Sequence, residues 1–239
     1  MTLTLVLVVI AVALVFEYIN GFHDTANSIA TVVATKVLSP GQAVLLAAFT
    51  NLLGAMWGTA VAKTIASGLI DTGVVAMTPE ILICALLGAT IWDLITWWVG
   101  LPSSSSHALV GGLCGAALAA ASGNWGAIVW SVPADHWWHA KGVLNKVILP
   151  MVVSPLAGFI IGFLVMGLLF ALLSFFNGLG GTATRATRPR TVNAVFGKLQ
   201  IFSSGFMDLS HGMNDAQKTM GIIALALAGA TTAGSLDHL

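Results

Sequence analysis

Polar and acidic side chains interrupt the first apolar segment of the chain at a depth where a membrane helix should still be apolar. The run Leu3–Phe16 contains no charged residue, and Glu17 and Asp24 follow it closely. A carboxylate in hydrocarbon is costly, so it usually faces a cavity, an ion path or a partner. Gly21, between the two acids, allows a helix to break and frees backbone groups for a ligand. The sequence therefore predicts a broken or re-entrant helical element over residues 17–37.

The layout of this element recurs near the end of the sequence. Met207–Gly221 repeats it with a shift of 191 positions, from 17 to 208. The shift pairs Glu17 with Asp208, Gly21 with Gly212, Asp24 with Asp215 and Asn27 with Lys218. Two broken polar segments in matching positions of two halves indicate the binding site of a transporter.

The amino-acid composition is typical of an integral membrane protein. Of 239 residues, 57% are hydrophobic and only 8% are charged, against about 25% charged residues in soluble domains. Because no strands of alternating apolar and polar residues occur, we predict an all-α integral membrane protein with a multi-helix bundle. The formal net charge of +0 gives no bulk attraction to nucleic acid. Cys84 and Cys114 lie in apolar runs without metal-ligand spacing, and we expect no cofactor and no resident metal.

The distribution of apolar and basic residues divides the chain into three parts. Residues 1–176 hold the predicted spans, one of them over Gln42–Ala62, and form a first membrane repeat. Residues 177–192 carry three arginines and no acidic residue, so the positive-inside rule predicts a cytoplasmic loop. Residues 193–239 contain the second polar segment and begin a second repeat. We therefore expect one full repeat and the start of another, as in a truncated chain, a fragment or one product of a split gene.

A run of serines predicts a second break, between two apolar stretches. Residues 101–107 read Leu-Pro-Ser-Ser-Ser-Ser-His, and Pro102 stops the preceding helix. Hydroxyl and N–H groups at the start of the next helix suit a tetrahedral oxyanion, which offers many acceptors and few donors. A capping and linker run is the alternative. A second alternative is a membrane serine hydrolase in which Ser106 and His107 act together. Adjacent side chains on a helix do not face each other, which argues against it.

The acidic residues suit a cation that accompanies an anion. Asp24 and Asn27 lie three positions apart, so a helix that begins near Gly21 presents both on one face. Lys218, in the place of Asn27 in the second copy, supplies a point charge beside a bound anion. The alternatives are polar pairs that only join helices and acidic side chains that reach the membrane interface. The candidates for carrying a coupling cation are Glu17, Asp24, Asp208 and Asp215.

Four motifs occur in order along nearly the whole chain. They are G-F-H-D-T-A-N at Gly21–Asn27, G-L-P-S-S-S-S-H at Gly100–His107, V-S-P-L-A-G at Val153–Gly158 and S-H-G-M-N-D-A-Q-K at Ser210–Lys218. In this combination the chain resembles the inorganic phosphate transporter (PiT) family, and most closely its bacterial low-affinity members. The second P-x-S-x-S-H motif of that family does not follow in this sequence.

The resemblance implies secondary transport of inorganic phosphate, coupled to H⁺ or Na⁺, by inverted repeats that meet at the phosphate. It also implies a bacterial inner-membrane location and no enzyme activity. Some bacterial members take phosphate as a neutral metal–phosphate complex, which makes a divalent metal a co-substrate. By matching position, the resemblance assigns the phosphate site to Asp24, Asn27, Ser104, Ser105, Ser106, Asp215, Gln217 and Lys218.

The leading hypothesis is therefore a phosphate:cation symporter in the lipid bilayer. A symporter for another tetrahedral oxyanion, sulfate or arsenate, is the alternative within the same class. The membrane serine hydrolase and an inactive fragment that needs a partner half are alternatives from other classes. A homo-oligomer or a C-terminal partner half would supply what the second repeat lacks.

Overall fold

The described part of the chain contains seven α-helices and no β-sheet, so the predicted all-α fold is confirmed. The structure is a computed structural model, and it describes residues 3–101, 103–134, 136, 140–178 and 188–232. A π-helical turn over Leu144–Ile148 leads into the sixth helix. The helices are α1 (Leu3–Ala34), α2 (Pro40–Ala55), α3 (Ala60–Ser67), α4 (Pro79–Val99), α5 (Ser105–Ala120), α6 (Leu149–Gly178) and α7 (Pro189–Thr232).

Three helical segments of the described chain are long and apolar enough to cross a membrane. They are Leu3–Ala34, Pro79–Val99 and Leu144–Phe176. The 21 residues of α4 rise about 32 Å at 1.5 Å per residue, which matches a hydrocarbon core of about 30 Å. The shorter helices α2 and α5 are apolar as well. The chain is therefore a multi-pass membrane protein.

The predicted helix breaks at Gly21 and Gly212 are wrong. Both α1 and α7 run through these glycines as continuous helices. A glycine within a helix costs only about 1 kcal/mol relative to alanine, which packing of a long apolar helix can offset. At Gly212 a Cβ would collide with the backbone of Asn51, so the glycine lets α2 and α7 approach closely. Gly212 thus serves helix packing and does not end a helix.

A break lies instead inside the predicted span Gln42–Ala62, whose expected continuity is wrong. Helix α2 ends at Ala55 and α3 begins at Ala60. Gly58, between them, has a φ of +95°, a left-handed conformation that favours glycine over residues with a Cβ.

The side chain of Gln217, on α7, bonds the backbone on both sides of this gap. Its Nε2 donates to the Trp57 carbonyl at 3.2 Å, and its Oε1 accepts from the Val61 N–H at 3.0 Å. Unwound backbone within a membrane needs such partners because lipid offers none. Gln217 therefore stabilises the irregular connection between α2 and α3.

Helices α4 and α5 are separate, and the gap between them falls at the start of the predicted break over residues 101–107. Helix α4 ends at Val99, and Gly100 caps it in the left-handed region with a φ of 72°. Helix α5 begins at Ser105 after the N-cap residue Ser104. Pro102 lies outside the described residues, and so do residues 179–187 of the predicted basic loop and residues 233–239.

The core lies among α1, α4, α5 and α7. Small residues allow these helices to approach, and a Cβ at Gly112 of α5 would collide with the Ala85 carbonyl of α4. Helix α6 differs, because none of its described side chains is buried and nearly all are apolar. The large buried side chains of the core include Val9, Phe16, Leu82, Leu86, Leu109, Leu113 and Ile222.

Candidate functional site

Helices α1, α5 and α7 bring five of the predicted site residues together. Ser105 Oγ donates to Asp24 Oδ2 at 2.8 Å. The Lys218 ammonium donates to Ser106 Oγ at 2.7 Å and to Ser105 Oγ at 3.3 Å, and it lies 3.0 Å from Asp215 Oδ1. We call these five residues the polar cluster: Asp24, Ser105, Ser106, Asp215 and Lys218.

Local helix geometry explains why these side chains face one another. Asp215 and Lys218 lie three positions apart on α7, so they share a face of that helix. Ser105 and Ser106 occupy the first turn of α5, directly after the break that the sequence predicts. The cluster thus joins the first polar segment, the serine run and the second polar segment.

The polar cluster is largely withdrawn from the protein surface. Ser105 is 1% exposed, Lys218 is 3% exposed and Asp215 is 8% exposed. A buried ion pair is favourable only when its geometry is good and additional hydrogen bonds satisfy the remaining donors and acceptors. The serine hydroxyls provide these bonds, so Lys218 has an oxygen for each of its three donors.

The start of α5 offers N–H groups to an anion in addition to hydroxyls. Ser104 has the extended conformation of an N-cap residue, but its side chain makes no capping hydrogen bond. The first-turn N–H groups of a helix have no intrahelical partners, and the helix dipole places partial positive charge there. Together with the Lys218 ammonium, this end of α5 forms a donor-rich environment suited to an oxyanion.

His211 also belongs to the site, although the predicted set did not include it. Its Nε2 lies 2.8 Å from Asp215 Oδ2, and its Nδ1 lies 2.9 Å from Asn51 Oδ1. Asn51 Nδ2 donates to the Ala47 carbonyl, which fixes the amide with its oxygen toward the ring. Both ring nitrogens therefore face oxygen acceptors, an arrangement that suits the imidazolium. The i,i+4 spacing of His211 and Asp215 on a helix was the signal that could have revealed this contact.

Two carboxylates and the imidazole form a group that suits a metal ion. Asp24, His211 and Asp215 each place a ligand atom within 4.8 Å of the others. Carboxylate and imidazole are ligands of divalent transition metals. The predicted absence of a resident metal stays a prediction.

Three cavities border the polar cluster. The smallest, of about 280 Å³, is lined almost entirely by polar side chains, and we call it the site cavity. A larger cavity of about 700 Å³ lies toward α3, α5 and α6. Another, of about 720 Å³, lies toward α1 and α2. Asp215 lines all three cavities. The residues that line the site cavity are Asp24, Asn27, Ser28, Ser103, Ser104, Ser106, Met207, His211 and Asp215.

The other predicted residues lie at varying distance from the cluster. Asn27 and Ser104 line the site cavity. Gln217 does not, because its amide bonds the backbone between α2 and α3. Glu17 accepts a hydrogen bond from Thr219 Oγ1 between α1 and α7. Asp208 is fully buried on α7.

Apolar helices long enough to cross a membrane, packed around a buried polar cluster, define an integral membrane protein. The chain belongs to the phosphate transporter family, whose family model matches residues 20–238. The family and the relatives are described as transporters and not as enzymes, so the hydrolase alternative is set aside.

Curated relatives carry descriptions that agree with the family. A "probable low-affinity inorganic phosphate transporter" of Mycobacterium leprae is 40% identical over 225 residues, which cover 94% of this chain and 48% of that protein. A relative with the same description from Streptomyces halstedii is 44% identical over 213 residues, which cover 89% of this chain and 88% of that protein. The chain thus spans about half the length of the M. leprae relative.

A solved structure described as "The sodium-dependent phosphate transporter" has the same fold. It matches with a TM-score of 0.68 over 97% of this chain and 69% of that chain, at 23% sequence identity. The likeness supports the all-α membrane fold. The family and the three long apolar helices describe a multi-pass protein of the cell membrane.

Proposed function

We propose that the chain carries inorganic phosphate across the membrane as a secondary active transporter coupled to H⁺ or Na⁺. The observation that carries the proposal is the site cavity at the start of α5, which Ser104 and Ser106 line and beside which the Lys218 ammonium donates to Ser106 Oγ. A tetrahedral oxyanion offers many acceptors, and these groups are donors. The descriptions of the relatives support phosphate as the oxyanion.

The proposed phosphate site combines hydrogen-bond donors with two carboxylates. Ser104, Ser106 and Asn27 face the site cavity and would contact phosphate oxygens there. Lys218 adds its positive charge from beside the cavity, where it donates to Ser106. Gln217 acts at a distance, by holding the connection between α2 and α3. The phosphate ligands of the proposal are Asp24, Asn27, Ser104, Ser105, Ser106, Asp215 and Lys218.

The carboxylates supply the reason for cation coupling. Asp24 and Asp215 would repel a phosphate anion in a site of low dielectric unless positive charge enters with it. A proton or Na⁺ on one of these carboxylates removes the repulsion. Glu17 and Asp208 are further cation carriers, because each is a carboxylate withdrawn into the α1–α7 contact region.

A divalent metal satisfies the same electrostatic requirement. Asp24, His211 and Asp215 have the ligand types and spacing for such an ion. The cargo would then be a neutral metal–phosphate complex, with the metal as substrate. Uptake that depends on Mg²⁺ or Mn²⁺ would support this form of the substrate.

The repeated polar segments support an inverted-repeat transporter. In this proposal residues 1–176 form the first repeat, residues 177–192 form a cytoplasmic connection, and residues 193–239 begin the second repeat. A second copy of the chain or a C-terminal partner half completes the second repeat. Sulfate or arsenate is the alternative cargo, since each is a tetrahedral oxyanion that the same donors fit.

The test is uptake of radiolabelled phosphate into proteoliposomes that contain the full 239-residue chain. A pH gradient and a Na⁺ gradient are imposed separately, with unlabelled arsenate and sulfate as competitors. Asp24→Asn should lower uptake at least tenfold, because it removes a carboxylate of the cluster. Glu80→Gln is the matched control, since Glu80 is exposed at the start of α4.

Uptake under one gradient only would name the coupling ion. Uptake that appears only after addition of a C-terminal partner half would establish the need for that half. Uptake that neither gradient drives, with or without the partner half, would refute the proposed transport.

A further inference from the structure

Lys218 is the one buried side chain among the described Lys and Arg residues. It is 3% exposed, whereas every other described Lys and Arg is exposed. Burying an ammonium group costs several kcal/mol unless partners compensate it. The Lys218 ammonium therefore needs compensating partners within the protein, which an exposed lysine does not need.

Three oxygens surround the ammonium. They are Ser106 Oγ at 2.7 Å, Asp215 Oδ1 at 3.0 Å and Ser105 Oγ at 3.3 Å. These oxygens use all three donors of the lysine. We call Ser105, Ser106 and Asp215 the oxygen cage.

The oxygen cage is built from ligands that also suit a small metal cation. A carboxylate and two hydroxyls are hard oxygen ligands, the kind that hard cations prefer. Ser105 also donates to Asp24, so a second carboxylate lies one hydrogen bond away. Without the ammonium, the cage would present concentrated negative potential in a buried position.

The repeated motif adds an independent observation. In the repeated motif, Lys218 of the second copy corresponds in position to Asn27, a neutral residue, of the first copy. Asn27 is exposed in the site cavity, whereas Lys218 is buried and fully bonded. The positive charge is thus present in the second copy alone.

We propose that the Lys218 ammonium is a built-in cation that fills the oxygen cage in place of Na⁺. This inference rests on the proposed phosphate transport. In that cycle the Lys218 ammonium takes the place of one Na⁺, so the protein needs one accompanying cation fewer. A shorter, neutral residue at position 218 opens the cage to Na⁺. Residue 218 thereby determines how many cations accompany the anion.

Two variants separate the charge of the lysine from the space it fills. Lys218→Ala removes both, and Lys218→Met removes the charge while a side chain of similar length still occupies the space. The purified full chain is titrated with NaCl against choline chloride at constant ionic strength. Bound ²²Na⁺ and the melting temperature are measured without phosphate.

The alanine variant should bind one Na⁺ per chain more than the unmodified protein and show a saturable rise in melting temperature of roughly 5 °C or more. The methionine variant should show neither change. Equal Na⁺ responses in the alanine and methionine variants would overturn the proposal. So would extra Na⁺ binding by the methionine variant alone.

Folding of the alanine variant is itself informative. If it is monodisperse only in NaCl and not in choline chloride, Na⁺ replaces the ammonium and the proposal is supported. If it aggregates in both salts while the methionine variant folds, the proposal is refuted. Phosphate binding by the unmodified chain is measured in parallel, so failure of the proposed transport is distinguished from failure of the oxygen cage.

Discussion

Gly21 and Gly212 occupy matching positions of the repeated motif, yet the structure predicts opposite effects when each is replaced by alanine. At Gly212 the new Cβ would lie 2.7 Å from Asn51 Cα and 2.8 Å from the Asn51 carbonyl carbon. These are backbone atoms that cannot rotate away, so α2 and α7 must separate. At Gly21 the new Cβ meets nothing within 4 Å.

The magnitudes follow from these contacts. Overpacking costs about 1–3 kcal/mol. Alanine in place of an unstrained helical glycine gains about 1 kcal/mol. At Gly212 the neighbours are rigid backbone atoms, so the overpacking cost lies near 3 kcal/mol, and the alanine gain reduces the net loss to about 2 kcal/mol. Since 1 kcal/mol shifts the melting temperature by about 2–4 °C at this chain length, Gly212→Ala should lower it by about 4–8 °C. Gly21→Ala should raise it by about 2–4 °C.

Thermal unfolding of the detergent-solubilised chain, followed by tryptophan fluorescence, measures both shifts. Gly111→Ala on α5 is a matched control, because its Cβ also meets nothing within 4 Å. Equal destabilisation by Gly21→Ala and Gly212→Ala would mean that Gly21 lies at a helix break. Unchanged stability of Gly212→Ala would contradict the close approach of α2 and α7.

Three further predictions concern other contacts. Gln217→Ala should destabilise the chain by about 1–3 kcal/mol in thermal unfolding, because it leaves the Val61 N–H unpaired; unchanged exchange of that amide would contradict this. Ser39→Ala should cost about 0.5–2 kcal/mol by removing the α2 capping box, while Thr59→Ala, whose side chain makes no cap bond, should have little effect. His211→Gln should weaken Mn²⁺ binding at least tenfold in calorimetric titration, because it removes one of the three ligands. His107→Gln is the control, since His107 is exposed on α5 and does not belong to the trio; equal affinities of the two variants would exclude the metal-binding trio.

The repeated motif and the serine run identified most of the polar cluster from sequence. Asp24, Asp215 and Lys218 stood out because charge is expensive in an apolar segment, wherever the helix ends lie. The serine run stood out because the proline and glycine beside it interrupt an apolar stretch. Both signals are local, so they do not depend on how the helices pack.

The position of the α2–α3 break could not be read from local sequence. Residues 42–62 are apolar enough for a continuous span, and Gly58 alone does not end a helix. The decisive partner is Gln217, more than 150 positions away, whose amide satisfies the unwound backbone. The contact of His211 with Asn51 is equally distant in sequence. Such pairs depend on tertiary packing, which a single sequence does not reveal.

Charge balance in the site connects the geometry to the proposed coupling. Asp24 and Asp215 contribute two negative charges, and Lys218 contributes one positive charge. A phosphate anion adds one or two negative charges, each of which costs several kcal/mol if it stays uncompensated in a buried site. Entry of cations with the anion offsets this negative charge, so coupling becomes an electrostatic requirement of binding. Because Lys218 already supplies one positive charge, a chain with a neutral residue at this position needs one cation more for the same anion.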